Sequence, residues 1–287
     1  MAVLSFHSQV VRGHVGNSAA QFALQRLGHS VWGVPTVLYS NHPGHGSHKG
    51  AAQPVGTLID MVDGLEANGW LPKVNAILTG YIGEDEQIDA LVDAVDRVKA
   101  ANPDALYICD PVIGDASGPY IDANIVEGIM DDLIPRADYV TPNRYELATM
   151  LDHDEAPATI GDGVAAARLL PNNPITIVTS MEDTARFPGQ IQTLLVKPKE
   201  AYVIATQKIG AGTEGGGDFK GAGDLLTALL LSGLLKRRPL EQALAQASGS
   251  LFDILQATDR ANADELLLIA NQERLINPLT TVAIGKA

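Results

Sequence analysis

The chain has 287 residues, 46% apolar and 19% charged, so it is long enough to bury a full core and has the composition of a folded protein. Its 34 acidic and 20 basic residues give a net charge of −14, which opposes binding to nucleic acid or an anionic membrane surface. No apolar run reaches the roughly 18 to 20 residues of a membrane span, the N-terminus lacks a signal-peptide pattern, and Cys109 is the only cysteine. We therefore expect a cytoplasmic protein without nucleic-acid or membrane partners.

Strand-like and helix-like patterns alternate along the chain. After a first strand at 3–6, the segments 31–42 and 43–50 predict an extra strand followed by a surface flap. Helical spacing of apolar residues predicts helices over 85–100 and from Leu240 to Ile254. Apolar runs predict further strands at 74–81, 106–113, 138–143, 175–180, 191–196 and 202–207.

This alternation is typical of right-handed crossovers between parallel strands. The first four of those six runs have the nearly continuous apolar character of buried parallel strands. No linker or repeat divides the chain, so we expect a single α/β domain over residues 1–287, with a mostly parallel central sheet and helices on both faces.

Residues 210–223 contain seven glycines and lead into an apolar run from Leu225 to Leu235. The letters G-A-G-T-E-G at 210–215 match the dinucleotide pattern GxGxxG, but no helix can follow directly, which disfavours that interpretation. The composition predicts instead that 210–217 is a mobile cover. No P-loop sequence occurs in the chain.

The four residues Gly221-Ala-Gly-Asp224 stand directly before the apolar run. They predict a helix N-terminus whose free N–H groups and positive dipole end can bind a phosphate-sized anion, with glycines allowing close approach. Two interpretations of Asp224 remain open at this stage. It could cap the helix, or it could act as a general base that accepts a hydroxyl proton during phosphoryl transfer.

Polar residues also follow two of the predicted strands. Asp110 comes after the strand that begins at Leu106, and Thr141-Pro-Asn143 ends the next strand, with Glu146 one helical turn further on. Ligands of open α/β sheets gather at the carboxyl ends of strands, and oxygen atoms are the ligands that Mg²⁺ prefers. Asp110 and Asn143 could each equally cap a turn, but their recurrence at consecutive strand ends favours a functional site.

Five motifs resemble those of pyridoxal kinases, which are vitamin B6 salvage enzymes of the ribokinase superfamily. Two of them, S-x-V-x-x-G-x-x-G-N-x-A and Ser-Asn-His, are specific to that branch. In chain order the motifs are Ser8-Q-V-V-R-G-H-V-G-N-S-A-Ala20, Ser40-Asn-His42, L-T-G-Tyr81, Cys109-Asp-Pro-Val112 with Thr141-Pro-Asn143, and Gly221-Ala-Gly-Asp224. The resemblance implies a ribokinase-like α/β fold and ATP-dependent phosphorylation of the 5′-hydroxymethyl group of pyridoxal.

The resemblance also implies roles for individual residues. Asp224 would be the catalytic base, and Gly221, Ala222 and Gly223 would form the anion hole. Mg²⁺ would be held by Asp110 and Glu146, with a monovalent ion such as K⁺ nearby, and the protein would be a homodimer. The B6 substrate would be bound by Ser8, His42, Pro43, Gly44, Tyr81 and Asp224. The nucleotide would be bound by Asp110, Thr141, Asn143, Glu146, Thr179, Ile209, Gly210, Ala211 and Gly212.

Pro43 departs from the family pattern, which has a hydroxyl residue after Ser-Asn-His, so the preferred B6 vitamer stays open. Two alternative functions also remain. One is a hydroxymethylpyrimidine-type kinase of the same superfamily, and the other is a non-catalytic B6- or nucleotide-binding protein, against which Asp224 argues. His42, His45 and His48 recur every third residue, but their glycine-rich context favours a solvated loop over a metal site.

Overall fold

The computed structural model describes residues 1–210 and 219–287. Within these residues, ten strands form one sheet in the order β12-β11-β10-β9-β8-β5-β4-β1-β2-β3, and β6 and β7 form a separate hairpin. The strands are β1 (Ala2–Val10), β2 (Ser30–Tyr39), β3 (Gly50–Ala52), β4 (Val74–Thr79), β5 (Leu106–Cys109), β6 (Gly114–Asp115), β7 (Gly118–Pro119), β8 (Tyr139–Val140), β9 (Ile175–Met181), β10 (Gln190–Val196), β11 (Ala201–Gln207) and β12 (Ile284–Lys286).

Six neighbouring strands, from β9 through β8, β5, β4 and β1 to β2, pair in parallel. The strands at both ends of the sheet, β10 to β12 and β3, pair antiparallel. Because the six parallel strands run in one direction, their carboxyl ends lie at one edge of the sheet. The predicted, mostly parallel sheet is confirmed, with an antiparallel extension.

Helices cover both faces of the sheet. Its two sides belong to separate apolar cores, as β5 shows: Tyr107 and Cys109 lie in one core, and Ile108 lies in the other. Helices α2 to α6 pack into the first core and α1, α7, α8 and α9 into the second. The helices are α1 (Asn17–Arg26), α2 (Val55–Ala67), α3 (Gln87–Ala101), α4 (Ala123–Gly128), α5 (Arg144–Met150), α6 (Ile160–Ala167), α7 (Ala222–Leu235), α8 (Leu240–Arg260) and α9 (Glu273–Ile276).

The predicted extra strand and flap are confirmed as β2, a 3₁₀ turn at Pro43–His45 and the short strand β3. The strand β2 pairs in parallel with β1, so the flap begins at the edge where the parallel strands end. The predicted helix over 85–100 is α3, and the one that starts at Leu240 is α8, which continues to Arg260. Among the described helices, none combines the length and apolar character needed to span a bilayer.

Candidate active site

A cavity of about 620 Å³ lies along the carboxyl ends of the parallel strands. This volume is in the range of small-molecule sites. Nearly all of the described residues that the sequence nominates contribute to its wall. These are Ser8, His42, Pro43, Gly44, Tyr81, Asp110, Thr141, Asn143, Glu146, Thr179, Ile209, Gly221, Ala222, Gly223 and Asp224.

Asp224 lies in the first turn of α7, a helix whose residues from Leu225 to Leu235 are all buried. The helix begins after Gly221, which adopts a left-handed conformation with φ of 83°. A Cβ on Gly221 would lie 2.1 Å from the carbonyl oxygen of His14, so the close approach and the positive φ both require glycine there. The N-cap residue of α7 is Gly221, and Asp224 is the third residue inside the helix. Of the two interpretations from sequence, the helix cap is therefore wrong.

The Asp224 carboxylate instead faces away from its own helix and contacts the first strand and the loop after it. Its Oδ2 accepts a hydrogen bond of 2.6 Å from the backbone N–H of Gly16, and its Oδ1 lies 3.0 Å from His7 Nε2. Burial raises the pKa of Asp224, but the contacts with His7 and Gly16 outweigh burial and lower that pKa below its usual value. Asp224 is thus an ionised acceptor at neutral pH.

The start of α7 supplies the backbone donors that the sequence predicts. The N–H of Ala222 is bonded to the carbonyl of Phe219 at 3.2 Å, and Leu225 N–H begins the helical ladder at the Gly221 carbonyl. The N–H groups of Gly223 and Asp224, between these two, belong to the helix turn that has no helical acceptor of its own. Together with the helix dipole, they make this end of α7 attractive to a phosphate.

Sequence reasoning missed His7, which is 1% exposed in the second half of β1. Its Nδ1 accepts hydrogen bonds from the backbone N–H groups of Ser8 (2.9 Å) and Tyr81 (3.3 Å). Ligand atoms of His7, Asp110 and Asp224 lie within 4.8 Å of one another, a spacing that could hold a metal ion. A signal was available, because His7 is a polar residue in an apolar strand, immediately before the nominated Ser8.

Asp110 is 6% exposed and follows β5, as the sequence predicts. Its Oδ2 lies 3.1 Å from the hydroxyl of Thr227, which in turn lies 3.0 Å from the hydroxyl of Thr141. Burial and the neighbouring Asp224 raise the pKa of Asp110 to about 7. Thr227, a buried residue of α7 that sequence reasoning also missed, therefore links the helix to the strand ends.

Glu146 and Asn143 form a capping box at the start of α5. The Asn143 side chain accepts from the N–H groups of Tyr145 and Glu146, and Glu146 Oε2 accepts from the Asn143 N–H at 2.7 Å. Glu146 Oε1 accepts from Ile113 N–H at 3.1 Å. Burial and the charge of Asp110 raise the pKa of Glu146 well above its usual range. The capping interpretation thus holds for Asn143, and Glu146 completes the capping box as a buried carboxyl group with a raised pKa.

The donor set of Asp110 and Glu146 fits a divalent cation. Both are buried carboxyl groups with raised pKa values: burial and Asp224 raise the pKa of Asp110, and burial and Asp110 raise that of Glu146. A cation between them would favour their ionised forms. The oxygen-only chemistry matches Mg²⁺ rather than a thiolate-preferring metal.

One end of the cavity is formed by the flap and the ends of β1, β2 and β4. His42 caps the 3₁₀ turn, with its Nδ1 accepting from the Gly44 N–H at 3.0 Å. Burial raises the pKa of Tyr81 to about 12, with a further contribution from Tyr39. His45 Nε2 lies 3.1 Å from Glu265, so the flap does have an acidic neighbour, contrary to the expectation of a purely solvated loop.

The other end is formed by β9 to β11 and helices α7 and α8. Thr179 N–H donates to the carbonyl of Pro142 at 2.9 Å, which ties β9 to the Thr141–Asn143 strand end. Much of the remaining wall is apolar and includes Ile191, Ile204, Phe219, Leu226, Leu251 and Phe252. Gly210 lies in a turn after β11 and does not line the cavity. The nominated Ala211 and Gly212, and most of the predicted mobile cover 210–217, lie outside the described residues.

Comparisons with known proteins match the chain to small-molecule kinases. Residues 69–264 match the phosphomethylpyrimidine kinase family. The pyridoxal kinase PdxY of Corynebacterium diphtheriae is 38% identical over 283 residues, covering 97% of this chain and 96% of that protein. The solved pyridoxal kinase of Leishmania donovani in complex with ADP has a TM-score of 0.91 and 27% identity, and the match covers 100% of this chain and 99% of that one. Its complex with ADP and pyridoxamine gives the same values.

Proposed function

The chain belongs to the phosphomethylpyrimidine kinase family and, within it, to the pyridoxal kinases, and from this premise we propose that it phosphorylates the 5′-hydroxymethyl group of a B6 vitamer with ATP. The observation that carries the proposal is the position of Asp224. An ionised carboxylate stands at the dipole-positive start of α7, in a cavity shared with the buried carboxylates Asp110 and Glu146. For pyridoxal as substrate, the product is pyridoxal 5′-phosphate.

In the proposed mechanism, Asp224 orients the substrate hydroxyl and accepts its proton. The pKa of an alcohol is far above that of a carboxylate, so the proton moves late, as the oxygen bonds to phosphorus. The N–H groups of Gly223 and Asp224 and the dipole of α7 stabilise the charge on the transferred phosphoryl group. Gly221 keeps the backbone accessible to that group.

Asp110 and Glu146 would hold Mg²⁺, which supplies charge neutralisation for the nucleotide phosphates when bound. Such a cation would offset the repulsion between the nucleotide phosphates and the ionised Asp224, and it would favour the ionised forms of Asp110 and Glu146, whose pKa values are raised. A nearby monovalent cation such as K⁺ is proposed from the family resemblance.

The two ends of the cavity suit two different ligands. The vitamer ring would lie at the flap end, against Ser8, His42, Pro43, Gly44 and Tyr81. The nucleotide would extend past Thr141, Asn143 and Thr179 towards Ile209 and Gly210, with its base against the apolar wall of β10, α7 and α8. The relative solved with ADP and pyridoxamine binds both kinds of ligand.

A second candidate function is phosphorylation of a hydroxymethylpyrimidine, because the matching family is described by that activity. A coupled ATP assay with pyridoxal, pyridoxine, pyridoxamine and hydroxymethylpyrimidine separates the two. We expect kcat/KM to be highest for a B6 vitamer. Preference for the pyrimidine would favour the second function, and turnover of none of the four would refute both.

We also propose that the chain folds as one domain and assembles as a homodimer. Apolar side chains are exposed on β2 and α2, which pack together: Leu38 is 44%, Ile59 39% and Met61 48% exposed. Such residues can be covered by a second copy of the chain. Sedimentation velocity is expected to give a species of twice 30.3 kDa, and Met61→Asp is expected to shift it to the monomer. A wild-type species of 30.3 kDa alone would contradict the dimer.

A further inference from the structure

Among the described residues in contact with Asp224, His7 has no role in the sequence motifs or in the proposed mechanism. It is buried in the second half of β1, and its ring packs directly on the backbone at Gly80. A Cβ on Gly80 would lie 2.1 Å from both Cδ2 and Nε2 of the ring, so only glycine allows this contact. The imidazole is thus fixed in place. An inference about its role rests on the proposed function and extends it.

The contacts of Nδ1 determine which ring nitrogen carries the proton. Nδ1 accepts from two backbone N–H groups, those of Ser8 at 2.9 Å and Tyr81 at 3.3 Å. A nitrogen that accepts from two N–H groups has no proton of its own, so the proton of the neutral ring lies on Nε2. Nε2 is then a donor and cannot bind a metal ion through a lone pair. The spacing of His7, Asp110 and Asp224 therefore does not make a metal site.

The Nε2 donor faces the catalytic carboxylate. It lies 3.0 Å from Asp224 Oδ1, within hydrogen-bond distance, although the N–H is not aimed straight along this line. The other oxygen, Oδ2, accepts from Gly16 N–H at 2.6 Å. We propose that His7 is a positioning residue that acts as a neutral Nε2–H donor and, together with Gly16, holds the Asp224 carboxylate in the orientation that receives the substrate proton.

An imidazolium would be the alternative donor. Burial lowers the pKa of His7, but the charges of Asp224 and Asp110 outweigh it and raise that pKa. The additional proton would have to lie on Nδ1, however, where the hydrogens of Ser8 N–H and Tyr81 N–H already point. Protonation would break both of these hydrogen bonds in exchange for a long contact of 3.4 Å with the Ser8 hydroxyl oxygen, so the geometry favours the neutral ring.

A neutral donor can be replaced by a glutamine. Gln at position 7 can present its carbonyl oxygen to the Ser8 and Tyr81 N–H groups and its NH₂ group to Asp224. Leucine fills a similar volume and offers neither. His7→Gln is expected to keep kcat within a few-fold of wild type, whereas His7→Leu should lower kcat by about 10- to 100-fold with little change in KM. A His7→Gln variant as slow as His7→Leu, or a His7→Leu variant as fast as wild type, would overturn the proposal.

A double-mutant cycle tests whether His7 acts through Asp224. In an Asp224→Asn background, His7→Leu should have little further effect on kcat, because the carboxylate that His7 positions is already gone. If the double variant loses kcat by the product of the two single losses, His7 acts independently of Asp224, and the positioning role is refuted. Thermal unfolding of each variant identifies losses caused by misfolding, and His7→Gln remains informative if His7→Leu does not fold.

The tautomer can be measured without any assay of activity. Two-bond ¹H–¹⁵N correlation spectra of histidine-labelled protein are expected to show a bare Nδ1 and a protonated Nε2 for His7, identified as the ring missing in His7→Gln. Asp224→Asn should shift the Nε2 signal. A proton on Nδ1 would refute the proposal. If the wild type phosphorylates no vitamer but these spectra are as expected, the proposed function fails while the contact between His7 and Asp224 stands.

Discussion

Asp224→Asn is expected to lower kcat for vitamer phosphorylation by about 10²- to 10⁴-fold, the range of a positioned general base, with KM for both substrates little changed. The amide has nearly the same shape as the carboxylate but cannot accept the proton of the hydroxyl. Steady-state kinetics with saturating ATP and Mg²⁺ measure the loss. A variant with kcat within a few-fold of wild type would refute the role of Asp224 as base.

The same substitution has a structural cost that must be separated from the chemical one. Both carboxylate oxygens face donors, the Gly16 N–H and His7 Nε2. Asparagine offers one acceptor and one NH₂ group, so one donor meets another donor, which should destabilise the fold by about 1–3 kcal/mol. Urea unfolding measures this effect. Asp60→Asn, at an exposed position of α2, is the matched control and should change neither kcat nor stability.

The fold could be predicted from the sequence where hydrophobic periodicity decides it. The parallel strands are buried on both faces and read as apolar runs, so β4, β5 and β8 fall within the predicted segments and β9 extends one residue beyond its segment. The strand ends were less certain: the run at 74–81 predicts a longer strand than Val74–Thr79, because Gly80 and Tyr81 continue the apolar pattern beyond the strand, where Tyr81 lines the cavity. Periodicity does not distinguish a strand from the loop that continues it.

The candidate site could be predicted where a short motif carries the chemistry. Asp110, Glu146 and Asp224 were all nominated because each follows a recognisable local signal, and all three line the same cavity. His7 and Thr227 were missed because each contacts a residue far away in sequence: His7 and Asp224 are separated by 217 positions. A single histidine in a strand or threonine in a helix carries no local signal of that kind, so only the folded arrangement reveals it.

At Asn143, one local sequence pattern is compatible with two roles, a helix cap and a part of the proposed site. The spacing Asn-x-x-Glu at 143–146 is typical of a capping box, and that box is formed. The cap fixes Glu146 beside Asp110, so the structural role of these residues also determines the charge of the site. Sequence reasoning weighed cap and ligand as alternatives for Asn143, whereas the geometry makes the cap a condition for the proposed metal site.

Asp110→Asn is expected to have opposite effects on stability and on function. Asp110 is buried beside Asp224, and its pKa is raised from 3.8 to about 7. Between these two pH values the folded protein holds a proton that the unfolded chain has released, so this group makes stability fall as pH rises towards and through 7. Removing the charge should therefore stabilise the metal-free protein at pH 8, by about 2 to 4 kcal/mol.

In the wild type the Thr227 hydroxyl lies 3.1 Å from Asp110 Oδ2. Asparagine can keep this hydrogen bond, so the substitution removes the charge with little change in packing. Urea unfolding in the presence of a chelator, at several pH values from 5 to 8, measures the effect. The difference in the free energy of unfolding between variant and wild type should be largest at pH 8. It should become smaller as pH falls below about 7, because Asp110 is then protonated in the folded protein. Asp60→Asn, with an exposed carboxylate, should show no such trend.

Asp110→Asn should stabilise the metal-free fold but weaken the binding of Mg²⁺. The charge that destabilises the metal-free fold is the same charge that would attract the cation. The Mg²⁺ concentration for half-maximal activity of Asp110→Asn should rise by about 10- to 100-fold. A variant that is less stable than wild type at pH 8 in chelator would contradict the repulsion between the buried carboxylates. An unchanged Mg²⁺ requirement would contradict Asp110 as a ligand, and the two measurements can fail separately. If Asp110→Asn gains stability and loses metal affinity, the charge of Asp110 lowers the stability of the metal-free protein and serves to bind the cation.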